Sequence, residues 1–182
     1  MGFSNEKDAR RVMSVLPKRF GKYGLTLHPD KTRLLHFRPP RDRQGAGDAR
    51  QASFDFLGFT HYWAQSRRGG WVIKRKTAKG RFTKALQRIK DWCRANRHRA
   101  VREQWELLTQ KLKGHYGYYG VTGNFVGLSR FRNEVVRVWH KWLSRRSQKA
   151  MLDWPTFNQL LKRYPLPPPR LNRSLCHLAA NP

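Results

Sequence analysis

Gly114-His-Tyr-Gly-Tyr-Tyr-Gly120, followed by Val-Thr-Gly-Asn-Phe125 and by a long helical pattern that closes on Arg145-Arg-Ser-Gln-Lys149, is the stretch that decides the fold. Within it Phe125, Leu128, Phe131, Val135, Val138 and Trp142 recur at steps of three and four, one stripe of an α-helix. Arg130, Arg132, Arg137, Lys141, Arg145 and Arg146 surround the stripe, with only Glu134 against them. A helix of this kind needs a packed core on one side and a polyanion on the other. Just upstream, three tyrosines alternate with glycines, so rings are offered where backbone bends and approaches closely. Rings beside cations suit RNA, which is gripped by stacking and by phosphate contact. By helical phase Tyr116 and Tyr119 continue an apolar stripe, and Tyr118 points elsewhere as the stacking candidate. On the long helix Trp139 falls off the main stripe, as a second contact face, and Trp142 falls on it, in the core.

The chain of 182 residues has room for one domain, or for two small ones sharing an interface. A hydrophobic content of 38%, with seven Trp and ten Phe, is enough for a core and argues against global disorder. Thirty-nine Lys and Arg against eleven Asp and Glu leave a net charge of +28, which repels itself unless a partner brings counter-charge. Nucleic acid is the natural partner. A membrane surface fits less well, because the basic residues lie on mixed elements and not on one amphipathic anchor. No apolar run is long enough to cross a bilayer and the first residues lack the tripartite pattern of a signal peptide, so an intracellular, cytoplasmic protein is expected. Cys93 and Cys176 are too far apart for a zinc knuckle, and Cys93, on an apolar helix face, reads as a small buried residue.

Taken in order, the chain opens with a helix capped by Ser4 and kinked or ended by Pro17. Leu25–His28 alternates like a strand, Pro29–Thr32 turns, and Leu34–Phe37 reads as a returning strand. Arg38–Ser53 reads as a mobile loop. Phe54–Trp63 is the strongest strand signal, with Gly58 inside it marking a bulge or a close backbone approach, and Trp71–Lys76 is its hairpin partner across Gly69-Gly70. Helices follow over Thr77–Asn96, Val101–Tyr119 and onward from an N-cap at Asn124, then a short one from Pro155 to Tyr164. Pro165–Pro169 should run extended, and the last dozen residues should pack loosely or not at all. The expected fold is therefore α+β: residues 1–76 a small piece of helix and antiparallel strands, 77–164 a mainly helical bundle, and 165–182 a Pro-rich extended tail.

Catalysis leaves few marks. The seven Asp are dispersed, no two acids are adjacent, and the His show no metal-ligand spacing. Asp55, between two phenylalanines, reads most simply as a solvent-facing strand residue. P-loop and nucleophile-elbow motifs are missing, so neither independent catalysis nor a metal or other cofactor is expected of this chain. Binding is marked strongly: between Arg67 and Arg102 fourteen Lys and Arg face one acid, Asp91, where a merely solvated surface mixes signs.

These residues resemble the C-terminal portion of group II intron-encoded reverse transcriptase/maturases over nearly the whole chain. The carrying segments are Tyr23-Gly-Leu-Thr-Leu-His-Pro-Asp-Lys-Thr-Arg33, Phe54-Asp-Phe-Leu-Gly-Phe59, Gly114–Gly120 with Asn124-Phe125, and Arg145-Arg-Ser-Gln-Lys149. The resemblance implies a late palm block whose lysine is Lys31, and a primer-grip-like hairpin at Phe56, Leu57, Gly58 and Phe59 that bends at Gly58. It implies a thumb, or maturase X domain, from about Thr77 onward, which binds structured intron RNA for splicing. The RNA-facing residues expected on this basis are Lys74, Arg75, Lys76, Lys79, Arg81, Tyr118, Asn124, Arg130, Arg132, Arg137, Lys141, Arg145, Arg146, Gln148 and Lys149. Gly2-Phe3 is similar to the pair that follows the family's Tyr-x-Asp-Asp tetrapeptide, which this sequence does not contain. DNA synthesis by this polypeptide alone is thus not expected, and Mg2+ would enter only with a separate catalytic palm. Three readings follow: an RNA-binding maturase module, the C-terminal subunit of a split RNA-directed DNA polymerase acting on an RNA/DNA primer-template beside an N-terminal fragment, or a truncated relic.

Overall fold

Apolar residues at helical spacing, set between runs of Lys and Arg, give the described residues five helices, of which the last four enclose one core, and a small sheet. The computed structural model describes residues 2–40, 53–66, 68–147 and 151–172. The expected loop over 38–53 lies mostly outside these, as do Gln148, Lys149 and Cys176. The fold is α+β. Helix α1 spans Glu6–Gly21, a 3-10 turn Pro29–Lys31, and strands β1, β2 and β3 Phe54–Phe56, Phe59–Gln65 and Trp71–Thr77. Helices α2, α3, α4 and α5 span Lys79–Ala95, Val101–Tyr119, Phe125–Leu143 and Trp154–Arg163. The sheet is antiparallel in the order β1-β2-β3.

The core is built on α4. Leu128, Phe131, Val135, Trp139 and Leu143 are buried along it, facing Ile89 and Cys93 of α2 and Leu108, Leu112 and Tyr116 of α3. Phe82 of α2 meets Phe131 edge-on at 5.6 Å. At the other end of α4 the Trp139 indole N–H donates to the Gln104 side-chain oxygen of α3 at 3.0 Å, and Gln104 donates in turn to the carbonyls of Arg97 and Arg99. Phe157 of α5 closes the bundle against Trp139. Cys93 is wholly buried, and burial pushes its thiol up to about 12, so it stays a protonated packing residue.

The Pro-rich segment is a strap. Leu166 enters the core, the Trp105 indole donates to the Pro165 carbonyl, and the Tyr116 hydroxyl donates to that of Pro167. Asn172 then bonds the Gly120 carbonyl at 2.7 Å, so the loose tail expected from residue 171 is anchored at its first residues. Gly120 has no room for a side chain there: a Cβ would meet the carbonyls of Tyr116 and, at 2.7 Å, Arg170.

Several expectations need correction. Asn5, not Ser4, caps α1 by accepting from the Lys7 amide, and the helix runs through Pro17 to Gly21. Proline there forfeits one backbone bond, and the end is still closed by the amides of Tyr23 and Leu25 on the Phe20 carbonyl. Leu25–His28 and Leu34–Phe37 form no strands; an isolated alternating segment gains little without a paired neighbour, and Leu25, Leu34 and Leu35 are exposed. Phe54–Trp63 is two strands. Leu57 and Gly58 both take positive φ (48° and 82°) and turn the chain in two residues, with Phe56 paired to Phe59. That is the backbone a tight hairpin demands, so Gly58 marks a turn and not a bulge. Trp139 is wholly buried whereas Trp142 sits at the rim, the reverse of the expected assignment. The stripe steps by four from Phe131 to Val135 to Trp139 to Leu143, a path equally compatible with helical phase. Asn124 holds the N-cap position of α4 without making the cap bond.

Candidate nucleic-acid interface

The Gly114–Asn124 stretch joins bundle to sheet. Asn124 is buried, accepts from the Thr77 amide at 2.9 Å, and donates to the Thr77 hydroxyl at 2.8 Å and the Tyr119 carbonyl at 2.9 Å. The Tyr118 hydroxyl donates to the Leu57 carbonyl at 2.8 Å, and its ring stacks on Phe59 at 5.8 Å. Tyr119 meets Phe59 edge-on, and His115 stacks on Phe131 at 3.8 Å. The ring cluster is thus a clasp that fixes the hairpin turn to the end of α3. Asn124 is spent inside it and leaves the RNA-facing set. Tyr118 keeps an exposed edge.

The cations sort by face. Lys74 and Lys76 flank Tyr62 on one side of the sheet, with the Lys76 ammonium 5.0 Å from the Tyr62 ring centre. Arg75 projects to the other side, over Phe59 at 6.0 Å, because neighbours in a strand alternate. Beside Arg75, the His61 imidazole is held neutral further into acid by burial and by the arginine charge. Lys79 and Arg81 are exposed in the first turn of α2.

Arg130, Arg137 and Lys141 on α4, and Arg145 in the turn two residues past its end, recur at steps of seven, four and four, all exposed. From Arg130 to Lys141 the stripe covers about 16 Å of helix at ~1.5 Å per residue. Aromatic rings buttress it at both ends. Arg130 lies 5.4 Å from the Phe82 ring, and Trp142 is flanked by Arg145 at 5.6 Å and by Arg94 of α2 at 6.0 Å. A ring against a guanidinium orients it and contributes about 0.5–1 kcal/mol while using none of its N–H donors. Arg137 bonds Glu134 at 3.2 Å, an exposed pair of small energetic weight. Among the described residues three arginines reach a carboxylate within 4.0 Å, Arg10–Glu6, Arg102–Glu106 and Arg137–Glu134. The other described lysines and arginines have no such partner among the described residues. Apart from Arg137, the stripe meets no carboxylate among the described residues.

Two expected contact residues serve the fold instead. Arg146 donates to the Arg97 carbonyl at 2.6 Å and to the Arg99 carbonyl at 2.5 Å, and burial lowers its pKa. Arg132 donates to the Leu166 carbonyl of the strap at 3.3 Å. Lys31 is exposed in the 3-10 turn, and the hairpin tip presents Phe56 and Leu57 to solvent while Phe59 is buried. Arg94 was not singled out by the sequence. No local pattern marks it, since what gives it a role is the packing of α2 on a tryptophan far along the chain.

No group of three His, Cys, Asp or Glu among the described residues is placed to hold a metal, and no helix among them is long and apolar enough to cross a membrane. Comparison with protein families, with curated proteins and with solved structures finds no match to this chain.

Proposed function

We propose that the chain is an RNA-binding module of the maturase/thumb type, which lays the α4 stripe along the phosphates of structured, group II intron-like RNA and steadies that RNA for splicing. The observation that carries the reading is the stripe itself: three exposed cations on one face of α4, continued by exposed Arg145 in the turn just past its end, and ring-buttressed at both ends. Neutralising neighbouring phosphates releases counterions and lets crowded RNA helices approach one another. Replacing Arg130, Arg137, Lys141 and Arg145 together by Gln should weaken binding to a folded RNA at least a hundredfold at moderate salt while leaving the circular-dichroism melt in place. Equal affinity of the two proteins in a filter-binding assay would refute it.

A second reading, as the C-terminal subunit of an RNA-directed DNA polymerase, is favoured by apolar exposure in the first part of the chain. Val15, Tyr23, Leu25, Leu34 and Leu35 are all exposed, and α1 carries a groove of about 420 Å³ along Val12, Val15, Leu16, Phe20 and Tyr23. Such surface suits a protein partner bearing the Tyr-x-Asp-Asp site, which would also bring the Mg2+. Primer extension that appears only on mixing the two polypeptides supports this reading, and none with such a partner counts against it.

A further inference from the structure

We propose that Trp154 is a stacking platform for an unpaired RNA base, set beside the α4 cation stripe; this rests on the RNA-binding reading and extends it from phosphates to a base. The indole is the first residue of α5 and is 47% exposed. Its inner face is closed by the His140 imidazole, at 4.1 Å between ring centres and 19° between planes. Phe157, wholly buried, meets it edge-on at 5.8 Å.

The ring is held from several directions. The His140 Nε2 atom lies 2.8 Å from the Leu152 carbonyl, which ties α4 to the chain just before the indole. The Asp153 carboxylate accepts from the Thr156 amide at 3.1 Å, and Pro155 fixes φ in the same turn. A platform already ordered loses little entropy when a base lands on it.

Position supplies the rest. His140 lies next to Lys141 and one helical turn after Arg137, so the indole stands at the edge of the stripe. The rings beneath the stripe, Phe82 and Trp142, already carry guanidinium groups on their faces. None of the described cations lies over Trp154. An indole with one face buttressed by His140 and nearly half its surface exposed, beside cations suited to phosphates, is the arrangement by which a flat base is captured without regard to its sequence.

The test compares two RNA hairpins of equal length and charge, one fully paired in its stem and one with a single bulged 2-aminopurine. The wild-type chain should bind the bulged hairpin about tenfold more tightly, within the range for one base–ring stack, and quench the 2-aminopurine fluorescence. Trp154→Ala should bind both hairpins with the affinity wild type shows for the paired one, and without quenching; Trp154→Phe should keep most of the preference. Because each preference is a ratio within one protein, partial loss of folding in a variant cancels. A Trp154→Ala chain that keeps the preference, or a wild-type chain that binds both hairpins equally, overturns the platform and leaves the stripe standing. Failure of wild type to bind either hairpin overturns the RNA reading and the platform with it.

Discussion

Asn124 shows how a residue chosen for one reason can serve another. Its amide makes three hydrogen bonds from a fully enclosed position, two to Thr77 and one to Tyr119. Asn124→Ala removes all three and strands the Thr77 amide, so it should cost about 2–4 kcal/mol in urea denaturation; a loss below 1 kcal/mol would show that the clasp is not needed. His115 makes a second residue-scale prediction. Burial against Phe131 holds its pKa at about 4, below the ordinary 6.5. Between those values the unfolded chain takes up a proton that the folded chain refuses, so this contribution to stability is full above pH 6.5 and drains away as pH falls toward 4. Melts of wild type should therefore fall more steeply over that window than melts of His115→Phe, and parallel curves would remove the assignment. Spacing made the apolar stripe of α4 legible, but not whether it ran through Trp142 or Trp139. Both lie within helical tolerance, and only the Gln104 carboxamide, waiting inside the bundle, selects the second.

At the scale of elements, α2, α3 and α5 and the start of α4 were legible to within two residues, because their periodicity is long and Gly, Pro and Asp punctuate it where the chain turns; the pattern expected to run to Arg145–Lys149 instead ends as helix at Leu143. The sheet was half legible. Its strands alternate, but aromatic residues run through the β1–β2 turn, so a hairpin looked like one strand. Leu57 at φ 48° is an unusual residue for that turn, and Gly58 at φ 82° a natural one. Gly58→Ala should destabilise the hairpin by at least about 1 kcal/mol, since its Cβ would also lie 3.1 Å from the Tyr119 hydroxyl. Leu57→Asn should be neutral or stabilising, because Asn accepts the left-handed conformation and the Tyr118 bond uses only the backbone carbonyl. The reverse order of the two melting temperatures would refute this account of the turn. The segments at 25–28 and 34–37 misled for a simple reason: alternation marks a strand only where another strand is there to pair with it.

Across the whole molecule, charge dominates. A surplus of +28 on 182 residues is spread over helices whose buried faces are well packed, and few described cations meet a carboxylate. The excess was plain in the composition, but its arrangement was not: the run Lys74-Arg75-Lys76 divides between two faces of the sheet, and Arg146 is drawn into the fold while Arg145 stays outside. What survives as a surface is the α4 stripe with Arg94 behind it. The most direct test is the salt dependence of binding to a folded intron-like RNA, measured for wild type and for the Arg130, Arg137, Lys141, Arg145 to Gln variant. Contact with six or more phosphates gives wild type a log–log slope of about −4 to −5 or steeper, and the variant should be shallower by about 3 as its phosphate contacts disappear. A wild-type affinity indifferent to salt, or identical slopes for the two proteins, would contradict the claim that this helix exists to lie against phosphates.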